Sequence, residues 1–498
     1  MKITLVYPDM AYMTTSPGYY YHGIGYLAAV LKQRGHAVSL LHITKPINKE
    51  EFCQRLADQL LGDGQDMVAF SATTNRFPYV ETWSKWIKEN FSAFIICGGV
   101  HPTLNPDSAI QAQGIDAICV GEGENAIVDL CNRLQAQQDI SSIPNIWVKR
   151  GGKTHANPPR PLIQNLDTLP FPDRAIFDYP SLYHEVMGEA SVMASRGCPY
   201  DCYYCCNRAL SQIYKGQRYV RFRSVANVIS ELKQILTCYP FVRKFAFDDD
   251  VLPLKQDWFE QFAFEYRKEI GLPFNCNVWP GLVTEKLAKL LKEAGCHQVQ
   301  MGIESGDPWI RSHVINRHIS DKQIITAFKL CSNLGIKVYT YNMVGLPYES
   351  MKEILATIKL NAIVRPNMTQ VSIFYPYHGT KLFDVCQQNS LLTDKDVRDY
   401  FEDTMLAFNP LARKQILFSE LYFPLLVRVY AWLFKLPKRT RLAITRVIDA
   451  ILISKATALL VFLPLIKLGS FIAQHELLLK CARALRQRFF WTSEHNKR

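Results

Sequence analysis

The carboxyl-terminal region lacks any long uncharged apolar run. Its longest, Ala456 to Ile466, is eleven residues and contains Pro464, against about 20 for a membrane-spanning helix. No bilayer crossing is therefore expected there. Cysteine is scarce as well, with 14 in 498 residues. Most stand singly in apolar contexts (Cys97, Cys119, Cys131, Cys331), which excludes a disulfide-stapled secreted module. Met1 to Val6 runs directly into a strand-like pattern, without the cationic and apolar regions of a secretory signal. Together these features predict reduced thiols and a cytoplasmic location. Low-complexity segments are absent, and 48% hydrophobic with 20% charged residues leave ample apolar mass for folded cores.

The net charge of +12 is not spread over the chain. Leu411 to Arg498 holds 16 Lys and Arg against 4 Asp and Glu, so residues 1–410 carry 41 of each and are formally neutral. All of the basicity belongs to the tail.

At this length two to four domains are expected. Residues 1–140 alternate β-branched runs (Ile3–Val6, Val38–Leu41, Met67–Ser71, Phe94–Cys97, Ala117–Val120) with helical patterns over Ile24–Gln33, Tyr79–Asn90 and Asp107–Gln113. Five strands with intervening helices predict a doubly wound parallel α/β sheet, which binds ligands at the carboxyl ends of its strands. Those ends carry Ser71-Ala72-Thr73-Thr74, Gly98-Gly99-Val100-His101-Pro102-Thr103 and Gly121-Glu122-Gly123-Glu124. Residues 141–185 are Pro-rich and read as a surface linker. Within 186–392 six further βα repeats, with strands near Val192–Ala194, Arg243–Phe247, Phe274–Val278, Gln298–Ile303, Lys337–Met343 and Thr369–Phe374, predict a partial TIM-type (βα)6 barrel. Residues 393–498 read as a basic helical region.

The sharpest local signal follows the first barrel strand: Arg196-Gly197-Cys198-Pro199-Tyr200-Asp201-Cys202-Tyr203-Tyr204-Cys205-Cys206-Asn207. Soft thiolates at this spacing suit zinc or an iron–sulfur cluster. A structural zinc site wants four ligands, usually from two separated knuckles, and no second knuckle follows. Three cysteines on a four-iron cluster instead leave one iron open to a small molecule. Buried structural cysteines are the bland alternative, and four cysteines within nine residues of a polar loop argue against it. Cys206 is read as a non-ligand.

This CxxxCxxC loop, with an aromatic Tyr204 before its third cysteine, resembles the radical S-adenosylmethionine superfamily. The resemblance implies that Cys198, Cys202 and Cys205 hold a 4Fe-4S cluster whose open iron chelates S-adenosylmethionine, and that reductive cleavage yields a 5'-deoxyadenosyl radical. Asp248 and Asp249, in Phe245-Ala246-Phe247-Asp248-Asp249-Asp250, fall where the family binds the cofactor's ammonium. Glu304, in Met301-Gly302-Ile303-Glu304-Ser305-Gly306, matches its GIESG segment. Gly345-Leu346-Pro347 matches its GLP turn.

Gly23 to His36 (GIGYLAAVLKQRGH), GGVHPT at 98–103 and GEGE at 121–124 resemble the cobalamin-binding subgroup. This implies cobalamin near Ser71, Thr73, Gly98, Gly99, His101, Gly121, Glu122 and Gly123. Glycines there let the backbone approach a large macrocycle. No DxHxxG segment follows any strand, so a cobalt-ligating histidine is not identified, and His101 reads as a loop residue.

By the same analogy the expected reaction is methyl transfer to an unactivated carbon, with an external electron donor. Cyclisation or oxidative rearrangement without methyl transfer is the alternative outcome. An iron–sulfur or corrinoid electron-transfer or sensor protein is the competing class, as is a zinc-stabilised nucleic-acid binder.

In the tail, Arg428 and Lys435 share a helix face among Leu421, Phe423, Leu425, Leu426, Val429, Trp432, Leu433 and Phe434. Lys438-Arg439-Thr440-Arg441, Arg446, Lys455, Lys467 and the Arg483 to Trp491 end follow. Helices capping the barrel, peripheral contact with an anionic membrane, and nucleic-acid contact compete as readings. The neutral first 410 residues weigh against nucleic acid, and a small-molecule or lipid-like substrate is expected.

Overall fold

The computed structural model describes residues 1–10, 18–60, 67–393, 403–454 and 464. Five strands form as the alternation predicts: β1 (Lys2–Pro8), β2 (Ala37–Ile43), β3 (Met67–Ser71), β4 (Phe94–Gly98) and β5 (Ala117–Cys119). They lie in the order β2-β1-β3-β4-β5, all in parallel pairs. The order reverses at β1, and a crevice opens beside the carboxyl ends of β1 and β3 in such sheets. Ile3, Leu5, Ala69 and Ile96 pack one face against the helix His22–Gln33, and Val6, Val68, Phe70 and Ile95 pack the other around Phe52 and Trp83.

The proline-rich stretch is more than a linker. Ile146–Arg150 (β6) and Lys153–Ala156 (β7) add an antiparallel hairpin to the edge of the sheet. Its two-residue turn is Gly151-Gly152, with φ of +57° and +74°, a combination that suits a tight hairpin.

The second sheet starts with β8 (Glu189–Val192). A two-residue strand β9 (Ser195–Arg196) then pairs with β10 (Arg221–Phe222), and β11 (Lys244–Phe247), β12 (Phe274–Asn277), β13 (Cys296–Glu304), β14 (Lys337–Val344) and β15 (Met368–Ile373) follow. The sheet order is β8-β11-β12-β13-β14-β15, the sequential winding of a curled half-barrel. An aromatic cluster of Phe247, Phe262, Tyr266 and Phe274, with ring centroids 5.0 to 6.2 Å apart, fills the space behind β11 and β12.

The chain divides into two compact units. One comprises Met1–Met301, Ile315–Tyr339 and Pro376–Asn389, the other Gly302–Val314, Thr340–Tyr375 and Ser390–Arg498. In the second unit, the helix Met351–Val364 and the helix Pro410–Leu433 share a core containing Val344, Ile354, Ile358, Phe423, Val427 and Tyr430. Pro410–Leu433 spans 24 residues and is long and apolar enough to cross a membrane, by length and composition alone. Counting uncharged runs missed it because Arg413, Lys414, Glu420 and Arg428 interrupt the stretch. Of its most apolar window, 44% is buried against this core. The predicted contacts of Lys455, Lys467 and Arg483 to Trp491 lie outside the described residues.

Candidate active site

The cysteine loop leaves β9 at Gly197, which has φ +89° and where a Cβ would stand 2.7 Å from the Tyr219 carbonyl oxygen. Only glycine fits this position without strain. Beyond it the loop is held at several points. The Tyr203 N–H donates to the Ile315 carbonyl at 3.1 Å, the Leu382 N–H donates to the Tyr203 carbonyl at 2.9 Å, and Asn316 Nδ2 donates to the Asp201 carbonyl at 2.7 Å. Tyr200 stacks on Trp279 with centroids 3.9 Å apart, and the Arg317 guanidinium lies 4.0 Å from the Trp279 ring centre. Arg317 Nη1 is 3.9 Å from Cys202 Sγ. A loop this tightly tied presents its thiols in one arrangement.

Cys202 is buried, while Cys198, Cys205 and Cys206 are half-buried. Burial pushes the Cys198 thiol up to about 12, so ligation there must displace a proton. Cys205 occupies the position before the helix Cys206–Ile213 without a side-chain capping bond. Cys205 and Cys206 form a hydrogen-bonded thiol pair, with Cys205 raised chiefly by that bond. Cys206 is thus a neighbour of Cys205 at the helix start. Asn207 Nδ2 reaches Cys205 Sγ at 3.8 Å and donates to Asp250 at 2.9 Å.

Among the described residues no group of three His, Cys, Asp or Glu side chains is placed to hold a metal ion. Cys198, Cys202 and Cys205 stand on one loop held by the contacts above.

Asp248 and Asp249 point to different tasks. Asp249 is fully buried and accepts from the Ala194 N–H at 3.1 Å and from the Ser195 hydroxyl. It fastens the strand end from which the cysteine loop departs, so its carboxylate is committed to the protein rather than available to a cofactor. Burial raises it to about 7. Asp248 is about half-exposed, with Oδ2 3.2 Å from His22 Nε2, which also lies 3.1 Å from Ser191 Oγ.

A cavity of about 360 Å³ opens at the carboxyl ends of the first sheet's strands. Ser71, Gly98, Gly99, Gly121, Glu122 and Gly123 line it as the sequence predicts. Tyr21, His22 and Tyr26, at the start of the first helix, and Met193 and Arg196, just before the cysteine loop, complete it. Gly121, with φ +94°, has the Tyr214 hydroxyl where its Cβ would stand, so no other residue is tolerated. A Cβ on Gly98 or Gly123 would meet nothing closer than 3.4 Å, so these two keep the cavity wall low. His22 is buried and its Nδ1 has no hydrogen-bond partner among the described residues, an atom that a bound group can satisfy. A glycine-walled crevice and an orphaned ring nitrogen fit a large polar cofactor.

Two predicted residues are placed elsewhere. Thr73 is exposed, bonded to Asn75 Oδ1 at 2.6 Å, and His101 stacks on Phe77 at 4.1 Å with Nδ1 3.2 Å from Thr74 Oγ1. Burial lowers His101 to about 4, keeping it neutral. Neither is among the residues that line the cavity.

Glu122 and Glu124 carry more than the sequence suggested. Arg196 pairs with Glu122 at 3.0 Å and Glu124 at 2.6 Å, and its guanidinium lies 5.0 Å from the Tyr26 ring centre. Arg221 pairs with the same Glu122 at 2.9 Å and donates to the Ile163 carbonyl at 2.9 Å. Burial alone would raise the Glu122 carboxyl, but Arg221 and Arg196 hold it below its ordinary value. Arg196 was in view in the motif but carried no local sign of a partner 72 residues away, and Arg221 had none at all.

In the second unit, Glu304 ends β13 with φ +63° and is buried, a backbone conformation that non-glycine residues rarely hold without purpose. Gly306 follows, its N–H donating to Thr357 Oγ1 at 2.8 Å, and a Cβ there would stand 2.4 Å from the Ala356 carbonyl. In the GLP turn, the Gly345 and Leu346 N–H groups donate to Glu349 Oε2 at 2.7 and 3.1 Å.

Two measurements check these roles. Glu122→Gln removes the shared anion and is expected to cost about 3 kcal/mol of stability, read as a lower thermal midpoint. Asp129→Gln, at a half-exposed partner of Arg160, should change stability by less than about 1 kcal/mol. For Asp249 the folded-state value of about 7 exceeds the ordinary 3.8, so the folded state binds the extra proton between them. Its contribution is present below pH 3.8 and is lost as the pH rises to about 7. Asp249→Asn is expected to flatten the stability profile across that window, measured by denaturant unfolding.

Residues 192–360 match the family model of the radical SAM superfamily and residues 12–131 that of the B12 binding domain. An uncharacterized methyltransferase of Pyrococcus horikoshii is 30% identical over 447 residues, covering 88% of this chain and 93% of that protein. An anaerobic magnesium-protoporphyrin IX monomethyl ester cyclase of Rubrivivax gelatinosus is 26% identical, over 72% of this chain and 65% of that one. Among solved structures, the cobalamin-dependent S-adenosylmethionine radical enzyme OxsB, with aqua-cobalamin and S-adenosylmethionine bound, superposes with a TM-score of 0.66. The match is 15% identical and covers 99% of this chain and 82% of that one, so the likeness is one of fold. With the three-thiol loop and the glycine-walled cavity, these matches establish that the chain belongs to the radical S-adenosylmethionine superfamily, in its cobalamin-binding methyltransferase branch, as an enzyme of a 4Fe-4S cluster, S-adenosylmethionine and cobalamin.

Proposed function

We propose that this enzyme methylates an unactivated carbon of a small-molecule or lipid-like substrate, drawing electrons from an external donor. The observation that carries the proposal is that one cavity is lined both by the strand-end glycines of the first sheet and by Met193 and Arg196, the latter two residues before Cys198. When bound, cobalamin supplies a methyl carrier, and the cluster with S-adenosylmethionine supplies a carbon radical that can remove a hydrogen atom.

The chain's own groups do the holding. Cys198, Cys202 and Cys205 ligate the cluster, with Tyr204 beside the third. The half-exposed Asp248 carboxylate offers a charge-assisted bond to the cofactor's ammonium, and Glu304 serves its amino group or ribose. Ser71, Gly98, Gly99, Gly121, Glu122 and Gly123 form the cobalamin crevice. In the tail, Pro410–Leu433 packs as a cap on the second unit's core, and its outer face supports peripheral membrane contact. Cyclisation without methyl transfer is the second reading, favoured by the likeness to the Rubrivivax cyclase.

Anaerobic reconstitution with a strong reductant, followed by mass spectrometry, separates these readings. Both 5'-deoxyadenosine and S-adenosylhomocysteine are expected. Deoxyadenosine alone would replace methyl transfer with cyclisation or rearrangement, and neither product from a protein with an intact cluster would contradict the proposal. Cys198→Ala is expected to lose the cluster absorbance and both products together.

A further inference from the structure

The helix Pro410–Leu433 is apolar on two sides. One stripe, Ile416, Ser419, Phe423, Leu426, Tyr430 and Leu433, is buried in the core shared with Val344, Ile354 and Ile358. A second stripe, Leu421, Leu425, Arg428 and Trp432, recurs at spacings of four, three and four and is exposed, with the exposed Lys435 just past the helix end. Leu425 is 55% exposed and Trp432 59%. Apolar residues all round a helix belong to a core or to lipid, and the core uses only the first stripe.

The next helix, Lys438–Ile453, buries only Leu452. It exposes Leu442, Val447 and Ile451 beside Arg439 and Arg446. Two acids belong to these helices, Glu420 and Asp449. Asp449 is held by Lys359 and by the Tyr430 hydroxyl, and burial raises Glu420 to about 7. What remains is apolar and cationic, within a region whose formal surplus is +12.

We propose that this face docks on an anionic bilayer surface, with Leu421, Leu425 and Trp432 entering the interface and Lys435, Arg439 and Arg446 engaging headgroup charge. The inference deepens the proposed function, resting on its reading of a lipid-like substrate for its purpose, and it is tested independently of the chemistry.

The test is flotation of the full-length, cofactor-reconstituted chain with vesicles of phosphatidylcholine alone or in equal parts with phosphatidylglycerol. The protein should float with the anionic vesicles only, and high salt should release it. Leu425→Ser with Trp432→Ser should abolish flotation, and Arg439→Gln should weaken it about fivefold, with iron content and thermal midpoint unchanged. Failure of the unmodified chain to float, or equal flotation of these variants, overturns the proposal. So does displacement from the vesicles by a polynucleotide, which would assign the face to nucleic acid. Deoxyadenosine formation without flotation rejects the surface and spares the chemistry, and flotation without deoxyadenosine does the reverse.

Discussion

The buried pairing of Arg196 with Glu122 and Glu124 is the constraint on which the site depends. Arg196 stands two residues before the first cluster cysteine, and Glu122 and Glu124 stand at the carboxyl end of β5 in the first sheet. An unpaired guanidinium at this depth would be costly, so the cysteine loop and the cavity wall must settle together. Arg221 closes the arrangement by sharing Glu122 and carrying β10 against β9. The same acidic residues that line the cavity therefore fix the departure point of the cysteine loop.

From that anchor the loop gains its shape by backbone and aromatic contacts rather than by the metal alone. Asp249 holds Ala194 and Ser195, Gly197 permits the sharp exit, and the Tyr200, Trp279 and Arg317 stack supports the segment around Cys202. Thiols raised by burial, as at Cys198, deprotonate only against a strong Lewis acid. Preorganisation lowers the entropic cost of bringing them to it.

Most of the architecture was legible in the sequence because hydrophobic periodicity is local. All eleven α/β strands anticipated on that basis form within a few residues of their expected limits, Met67–Ser71 without any difference. The cysteine loop and the strand-end glycines were legible for the same reason, since their spacing or position carries the chemistry. What was missed is non-local or masked. The β6–β7 hairpin hid in a proline-rich stretch despite its Gly151-Gly152 turn. The length of Pro410–Leu433 hid behind scattered charges. Asp249 and Asp248 are adjacent in a run of three acids, and only packing shows that one is buried under the loop while the other stays half-exposed. His101, in the GGVHPT motif, turned out to stack on Phe77, whereas His22 lines the cavity.

Arg196 ties the cysteine loop and the glycine-walled cavity into one structure. Iron and cobalamin content measured together on reconstituted Arg196→Lys tests it most directly, because lysine keeps the charge but cannot bridge two carboxylates in the same fork. The account predicts that both contents fall together, while Cys198→Ala loses iron and retains cobalamin. An Arg196→Lys protein that loses one cofactor and keeps the other in full, or keeps both, would contradict it.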